Sequence, residues 1–307
     1  MSPETSAALN PGSLLALNLI LAIIIFGVSL GLKPVDFIRV ARKPKAPVVG
    51  LLAQFLILPA LTCLATWQLQ IDPALALGMM LVAACPGGSF SNVMTFIARG
   101  NVATSISMTA VSSLAAIIMT PFNFALYASL NPYTRPLLQD IALDPWQIVV
   151  LFVFVIGIPL VLGMLIGHHV PRLAQRLEKP FRNFSVLALF AFVGLGIFKN
   201  RELLPSVLGL LALLVIAHNL IALLIGQLSA RTFGLPEQDK RAVTLEVGIQ
   251  NSGLALSILF TFFPGQGAMI LVAALWGVWH LITGLGLALW WSARDNRLTG
   301  KSPELQG

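Results

Sequence analysis

Apolar residues in this chain do not alternate with polar ones at the short periods of a soluble domain. They come in long blocks separated by brief polar clusters. Nine blocks are legible, at residues 12–32, 46–67, 73–98, 102–129, 146–167, 184–198, 203–230, 242–263 and 265–291. A helix needs about 20 residues to cross the hydrocarbon core, so the pattern predicts an all-α membrane protein with nine transmembrane helices. The sixth block, with 15 uncharged residues, is the shortest.

Composition agrees: 57% of the 307 residues are hydrophobic and 10% charged, and the mean hydropathy is +0.88. Soluble domains carry about a quarter charged residues. A net charge of +7 would suggest nucleic acid in a soluble protein, but here the Lys and Arg sit in loops between apolar blocks. Cationic loops kept on the cytoplasmic side explain that pattern without a nucleic-acid partner. With nine spans, 16 of the 19 Lys and Arg fall inside and 3 outside. Dropping the sixth span gives 12 against 7. Nine spans therefore predict an N-terminus outside and a C-terminus inside, in a bacterial inner membrane. The segment before the first block lacks the positive n-region of a signal peptide, so that block is read as a permanent helix. Cys63 and Cys85 lie inside blocks without metal or disulfide spacing and read as inert buried thiols.

Two blocks are unlike lipid-facing helices. The third contains Ala84-Cys85-Pro86-Gly87-Gly88-Ser89-Phe90-Ser91-Asn92, and the eighth contains Glu246-Val247-Gly248-Ile249-Gln250-Asn251-Ser252-Gly253. Unwound backbone at membrane depth is tolerated only where protein or a water-filled cavity satisfies it. The third block is entered from outside and the eighth from inside. Two broken helices in corresponding places and opposite orientation mark an inverted repeat, with the substrate at their crossing. The repeat pairs spans one to four with six to nine, and the fifth connects them.

Of the twelve acidic residues, Glu246 alone lies in a predicted span. A carboxylate there costs several kcal/mol unless it meets a cation, a proton or a cavity. It reads as a cation ligand or proton carrier, against a protonated side chain that merely bridges helices. Ser91, Asn92, Gln250 and Asn251 add oxygens at the breaks, and Gln54, Ser105 and Thr109 add polar groups on neighbouring spans. A membrane Ser or Thr often only bonds its own helix, but Ser105 and Thr109 share a face, four residues apart.

The motif Cys85-Pro86-Gly87-Gly88, followed by Ser91-Asn92-Val93-Met94-Thr95 and Ala98-Arg99-Gly100-Asn101-Val102-Ala103, resembles the first crossover of the bile acid/sodium symporter family. Glu246 to Ala255 resembles the second, with supporting matches at Gly31-Leu32-Lys33-Pro34, Ala53-Gln54-Phe55, His218-Asn219 and Val278-Trp279-His280. The resemblance spans about 14–291 and implies a core subdomain (about 46–130 and 203–292) and a panel subdomain (about 12–32 and 146–199), with a cleft between them. It implies two sodium sites: Ser91, Asn92, Ser105, Thr109 and Glu246; and Gln54, Glu246, Gln250 and the carbonyls of Val247 and Ile249. It implies substrate contacts at Ser89, Asn251 and His280, although His280 also reads as an interhelical hydrogen-bonding histidine. Members of the family often have Met at Ile249, Thr at Ser89 and Asn at Leu281.

The expected function is sodium-coupled import of an organic anion, either bile-acid-like or a small carboxylate such as pantoate, by alternating access. The partners are sodium, the anion and the bilayer, with no nucleic acid and no obligate protein partner evident. The alternative is a proton-coupled carrier of the same fold. An intramembrane protease is disfavoured, because no Asp lies in a span and neither a nucleophile-elbow motif nor HExxH is present. A passive channel would conduct without saturation.

Overall fold

The chain is all-helical. The computed structural model describes residues 19–20, 22–27, 29–140, 154, 157–199, 201–202, 204–263 and 265–299, and they hold fourteen helical segments. In chain order these give α1 (Pro34–Arg42), α2 (Lys45–Gln68), α3 (Pro73–Ala84), α4 (Phe90–Ile97), α5 (Val102–Leu130) and α6 (Arg135–Asp140). There follow α7 (Ile158–His169), α8 (Pro171–Lys199), α9 (Leu204–Thr232), α10 (Glu237–Gly248), α11 (Ser252–Phe262) and α12 (Gly267–Thr299). Three of the fourteen segments form α2, because a π turn at Ala53–Ile57 joins its two α-helical parts.

Lys45–Gln68, Val102–Leu130, Leu208–Thr232 and Gly267–Arg297 are each long and apolar enough to cross a membrane. The third and eighth predicted spans are each two shorter helices, α3 with α4 and α10 with α11. Positions 12–18 of the first span and 146–153 of the fifth lie outside the described residues. The sixth span differs in extent. Its helix, α8, starts at Pro171 and runs 29 residues, well before the predicted start at 184. That exceeds what the hydrocarbon requires, and its first turns carry Arg172, Arg176 and Lys179.

Leu61 and Leu64 on α2, Ile118 and Phe122 on α5, and Leu213 and Leu220 on α9 are all exposed. Such an apolar belt fits lipid rather than water. Inward, Leu77, Met80, Leu81, Met108 and Trp276 are fully buried, and Phe124 meets Phe263 edge-on at 5.5 Å. Ahead of α1, Ser29 Oγ approaches the Pro159 carbonyl of α7 at 3.4 Å and Phe26 meets Phe181 of α8 at 5.4 Å, while α8 also packs on α11 and α12.

At the end of the molecule near Gly100, Arg241 of α10 donates to both Asp295 oxygens at 2.6 and 2.8 Å and to the Ala98 carbonyl at 2.7 Å. Asp239 accepts from Asn101 and Thr104, each at 2.8 Å. These bonds tie the ends of α4, α5, α10 and α12 together. Hydrogen bonding to Asp295 holds the Arg241 guanidinium above even its ordinary high range. Buried ion pairs of this kind fix geometry more than they add stability.

Candidate functional site

Each broken helix ends for a local reason. Pro86 disfavours helical backbone at Cys85, which is extended (φ −72°, ψ 156°), so α3 stops at Ala84. In the other break Ile249 is extended (φ −117°, ψ 97°), and the Asn251 side chain caps α11 by accepting from Leu254 N at 3.0 Å. The breaks then pair with each other in antiparallel fashion, Gly87 opposite Gln250. Gly88 N donates to the Ile249 carbonyl at 2.8 Å, and Asn251 N donates to the Pro86 carbonyl at 2.9 Å.

The freed carbonyls at the two helix ends have side-chain partners, as backbone in a dry interior requires. Thr120 Oγ1 donates to Ala84 O at 2.8 Å, Gln54 Nε2 to Cys85 O at 3.3 Å and Gln250 Nε2 to Val247 O at 2.8 Å. Asn219 Nδ2 donates to Gly248 O at 2.8 Å, and its Oδ1 accepts from Thr283 Oγ1 at 2.5 Å. Asn219→Ala leaves the Gly248 carbonyl unpaired, which costs about 1–3 kcal/mol. The variant is expected to melt several degrees lower in detergent and to respond more weakly to sodium. An unchanged melting temperature would refute that role.

The five oxygen residues of the first predicted ion set come together at the crossing. Glu246 is fully buried; its Oε2 accepts from Ser91 Oγ at 2.5 Å and Ser105 Oγ at 3.0 Å, and its Oε1 from Thr109 Oγ1 at 2.6 Å. Asn92 Oδ1 is 2.8 Å from Ser105 Oγ and 3.3 Å from Thr109 Oγ1. Thr109 Oγ1 also lies 3.1 Å from its own helix carbonyl at Ser105. These approaches bring three hydroxyl hydrogens to six oxygen–oxygen contacts. A hydroxyl supplies one hydrogen, so lone pairs outnumber donors. That surplus of oxygens fits a hard monovalent cation, which is bound by oxygen alone.

The second predicted set is assembled differently. Gln54 and Gln250 meet at 3.3 Å, and Gln54 Oε1 is buried without a hydrogen-bond partner. An orphaned buried carbonyl oxygen is an acceptor still open to a cation. The Val247 carbonyl joins this group through Gln250. The Ile249 carbonyl, however, already accepts from Gly88 N, and the hydroxyl contacts of the Glu246 carboxylate come from the first set. Ile249 thus has one lone pair left to offer.

Ser89, Asn251 and His280 line one cavity of about 340 Å³, together with Asn92, Thr109 and Gln250. Its volume lies at the small end of ligand pockets. His280 Nδ1 is 2.8 Å from the Trp276 carbonyl of its own helix and 3.3 Å from Ser252 Oγ. The ring therefore makes the interhelical bond considered for it and also lines the cavity. His168 and His169 are exposed at the end of α7. Three contributors escaped the sequence reading: Thr95, 3.4 Å from Ser105 Oγ; Thr120; and Asn219. For Asn219 the signal was available, a polar His218-Asn219 pair in mid-span.

Two interrupted helices stapled at mid-molecule, an oxygen cage around one buried carboxylate and an adjoining cavity define a multi-pass membrane transporter, not an enzyme. The chain belongs to the Sodium Bile acid symporter family, whose model matches residues 18–207. It is 32% identical over 91% of its length to the uncharacterized sodium-dependent transporter YocS of Bacillus subtilis, covering 83% of that protein. It is 31% identical over 84% of its length to a probable chloroplastic sodium/metabolite cotransporter, BASS2, of Oryza sativa subsp. japonica, and 30% identical over 91% to human sodium/bile acid cotransporter 4. It spans 59% and 63% of those two longer chains. The protein is accordingly a sodium-dependent transporter.

Proposed function

We propose that this chain imports an organic anion with two sodium ions by alternating access across a bacterial inner membrane. The observation that carries the reading is the oxygen cage around Glu246, which holds more acceptors than hydrogens at the crossing of two broken helices. One ion would occupy Ser91, Asn92, Ser105, Thr109 and Glu246. The other would use Gln54, Gln250, Glu246 and the carbonyls of Val247 and Ile249. The anion, bile-acid-like or a small carboxylate such as pantoate, would meet Ser89, Asn251 and His280 beside the N-termini of α4 and α11. Helix N-termini favour negative charge.

Nine spans forming an inverted repeat, with the N-terminus periplasmic and the C-terminus cytoplasmic, complete the reading. The core subdomain comprises about 46–130 and 203–292, and the panel subdomain about 12–32 and 146–199. The contacts of Ser29 with Pro159 of α7 and of Phe26 with Phe181 of α8 support grouping these segments as the panel. In that topology Gly31, Leu32 and Glu178, all lining the cavity, lie at its cytoplasmic end, so the cavity opens inward.

Two cations with one monoanion carry one net positive charge inward, which gains about 2.3 kcal/mol per 100 mV of inside-negative potential. Uptake of labelled pantoate and of a labelled bile acid into proteoliposomes tests this at fixed pH. Exchanging sodium for choline is expected to reduce uptake of the accepted substrate at least about tenfold, a 1.4 kcal/mol effect, and an inside-negative potential to raise it. Uptake indifferent to sodium but driven by a pH gradient would establish the proton-coupled alternative instead.

A further inference from the structure

We infer that Glu178 sets the charge class of the transported anion, admitting compounds with one anionic end and a hydrogen-bond-donating or cationic far end, and disfavouring dianions. The inference rests on the organic-anion reading above and narrows it. The cavity has two chemically different ends. At the inner end stand Gln250, Ser252 and His280, exposed by 1%, 2% and 2%, with the start of α4 at Ser89-Phe90 and of α11 at Asn251-Ser252. The Asn251 side chain satisfies one amide of α11, but no side chain caps α4 at Ser89. Amide ends of this kind attract one carboxylate.

At the other end stands Glu178, carried by α8 from outside the crossing and exposed to solvent. Among the described residues that line the cavity it is the one charged side chain. Arg176 and Lys179 flank it along the chain without lining the cavity. A substrate seated with its carboxylate at the inner end therefore presents its far end toward a carboxylate. A second negative charge at that end is repelled, a hydroxyl can donate to Glu178, and an ammonium can pair with it. Ion pairs at a solvated mouth are worth about 1 kcal/mol at contact, a factor of about five in affinity.

Three probes that share a six-carbon chain and one carboxylate isolate this effect: adipate, 6-hydroxyhexanoate and 6-aminohexanoate. Each is titrated against the full-length protein in detergent at saturating sodium and again in choline, with melting temperature as readout. The wild type is expected to bind 6-aminohexanoate and 6-hydroxyhexanoate about fivefold more tightly than adipate. In Glu178→Gln the three should fall within about twofold of one another, and in Glu178→Lys adipate should become the preferred probe. An unchanged order in Glu178→Gln, or adipate preferred by the wild type, overturns the role of Glu178 while leaving the transporter reading intact. Absence of sodium-dependent stabilisation by all three probes overturns this inference, while the pantoate and bile-acid uptake measurements decide the organic-anion reading. The stabilisation by sodium alone, measured on each variant, reports that it is folded.

Discussion

Glu246→Ala is expected to abolish sodium-dependent uptake in reconstituted vesicles while the protein still inserts and folds. The carboxylate supplies the one negative charge in an oxygen cage otherwise made of Ser91, Asn92, Ser105 and Thr109. Removing one partner of a buried charge pair costs about 3–5 kcal/mol, so sodium affinity should fall by about two to four orders of magnitude. Stability supplies a second readout with the opposite sign. Without sodium, the wild type buries a carboxylate lacking a counter-charge, and the alanine variant does not. In choline the variant should melt at or above the wild-type temperature, and adding sodium should raise the wild type alone. Glu246→Gln, which keeps the shape and an acceptor, should fail in the same way. Sodium-dependent uptake retained in either variant would end the account.

Gly87→Ala is the second large effect, from a change of one methyl group. A Cβ at this position would overlap Glu246 Oε1 and lie 2.9 Å from its Cδ and 3.1 Å from its Cγ. A free glutamate would swing aside, but Oε1 is held at 2.6 Å by Thr109 and Oε2 at 2.5 Å by Ser91. The methyl group therefore displaces the ligand relative to the cage. Misplacement by about 1 Å can cost about a hundredfold. The sodium concentration giving half-maximal thermal stabilisation should rise by roughly that factor, with the sodium-free melting temperature near that of the wild type. An unchanged sodium midpoint would show that the carboxylate is not an ion ligand in this position.

Much of this architecture was legible in the residues. Pro86 and Gly87-Gly88 inside an apolar block cannot continue an ordinary span, and Glu246 is conspicuous because nothing else acidic enters one. Ser91, Asn92, Ser105 and Thr109 stood out as polar groups at or near the breaks, and the resemblance to the family grouped them with Glu246 as one ion set. What escaped depends on contacts between distant segments. The Ile249 carbonyl serves as a hydrogen-bond acceptor for Gly88 because the two breaks pair, and nothing in either segment alone announces that. The π turn at Ala53–Ile57, which releases the Phe55 carbonyl to Asn123 Nδ2 at 2.7 Å, has no Pro or Gly within it to announce a departure from the α-helix. The early start of α8 was hidden because its charged first turns look like a loop to any hydropathy argument. The arrival of Glu178 at the cavity was invisible for the same reason.

The backbone hydrogen bonds from Gly88 N to the Ile249 carbonyl and from Asn251 N to the Pro86 carbonyl have a mechanical meaning. They rivet two half-membrane helices of opposite direction into one stiff cross. A load at either arm is carried to the other without a flexible joint, so under the proposed mechanism an ion held at the crossing would travel as fixed cargo of a single block.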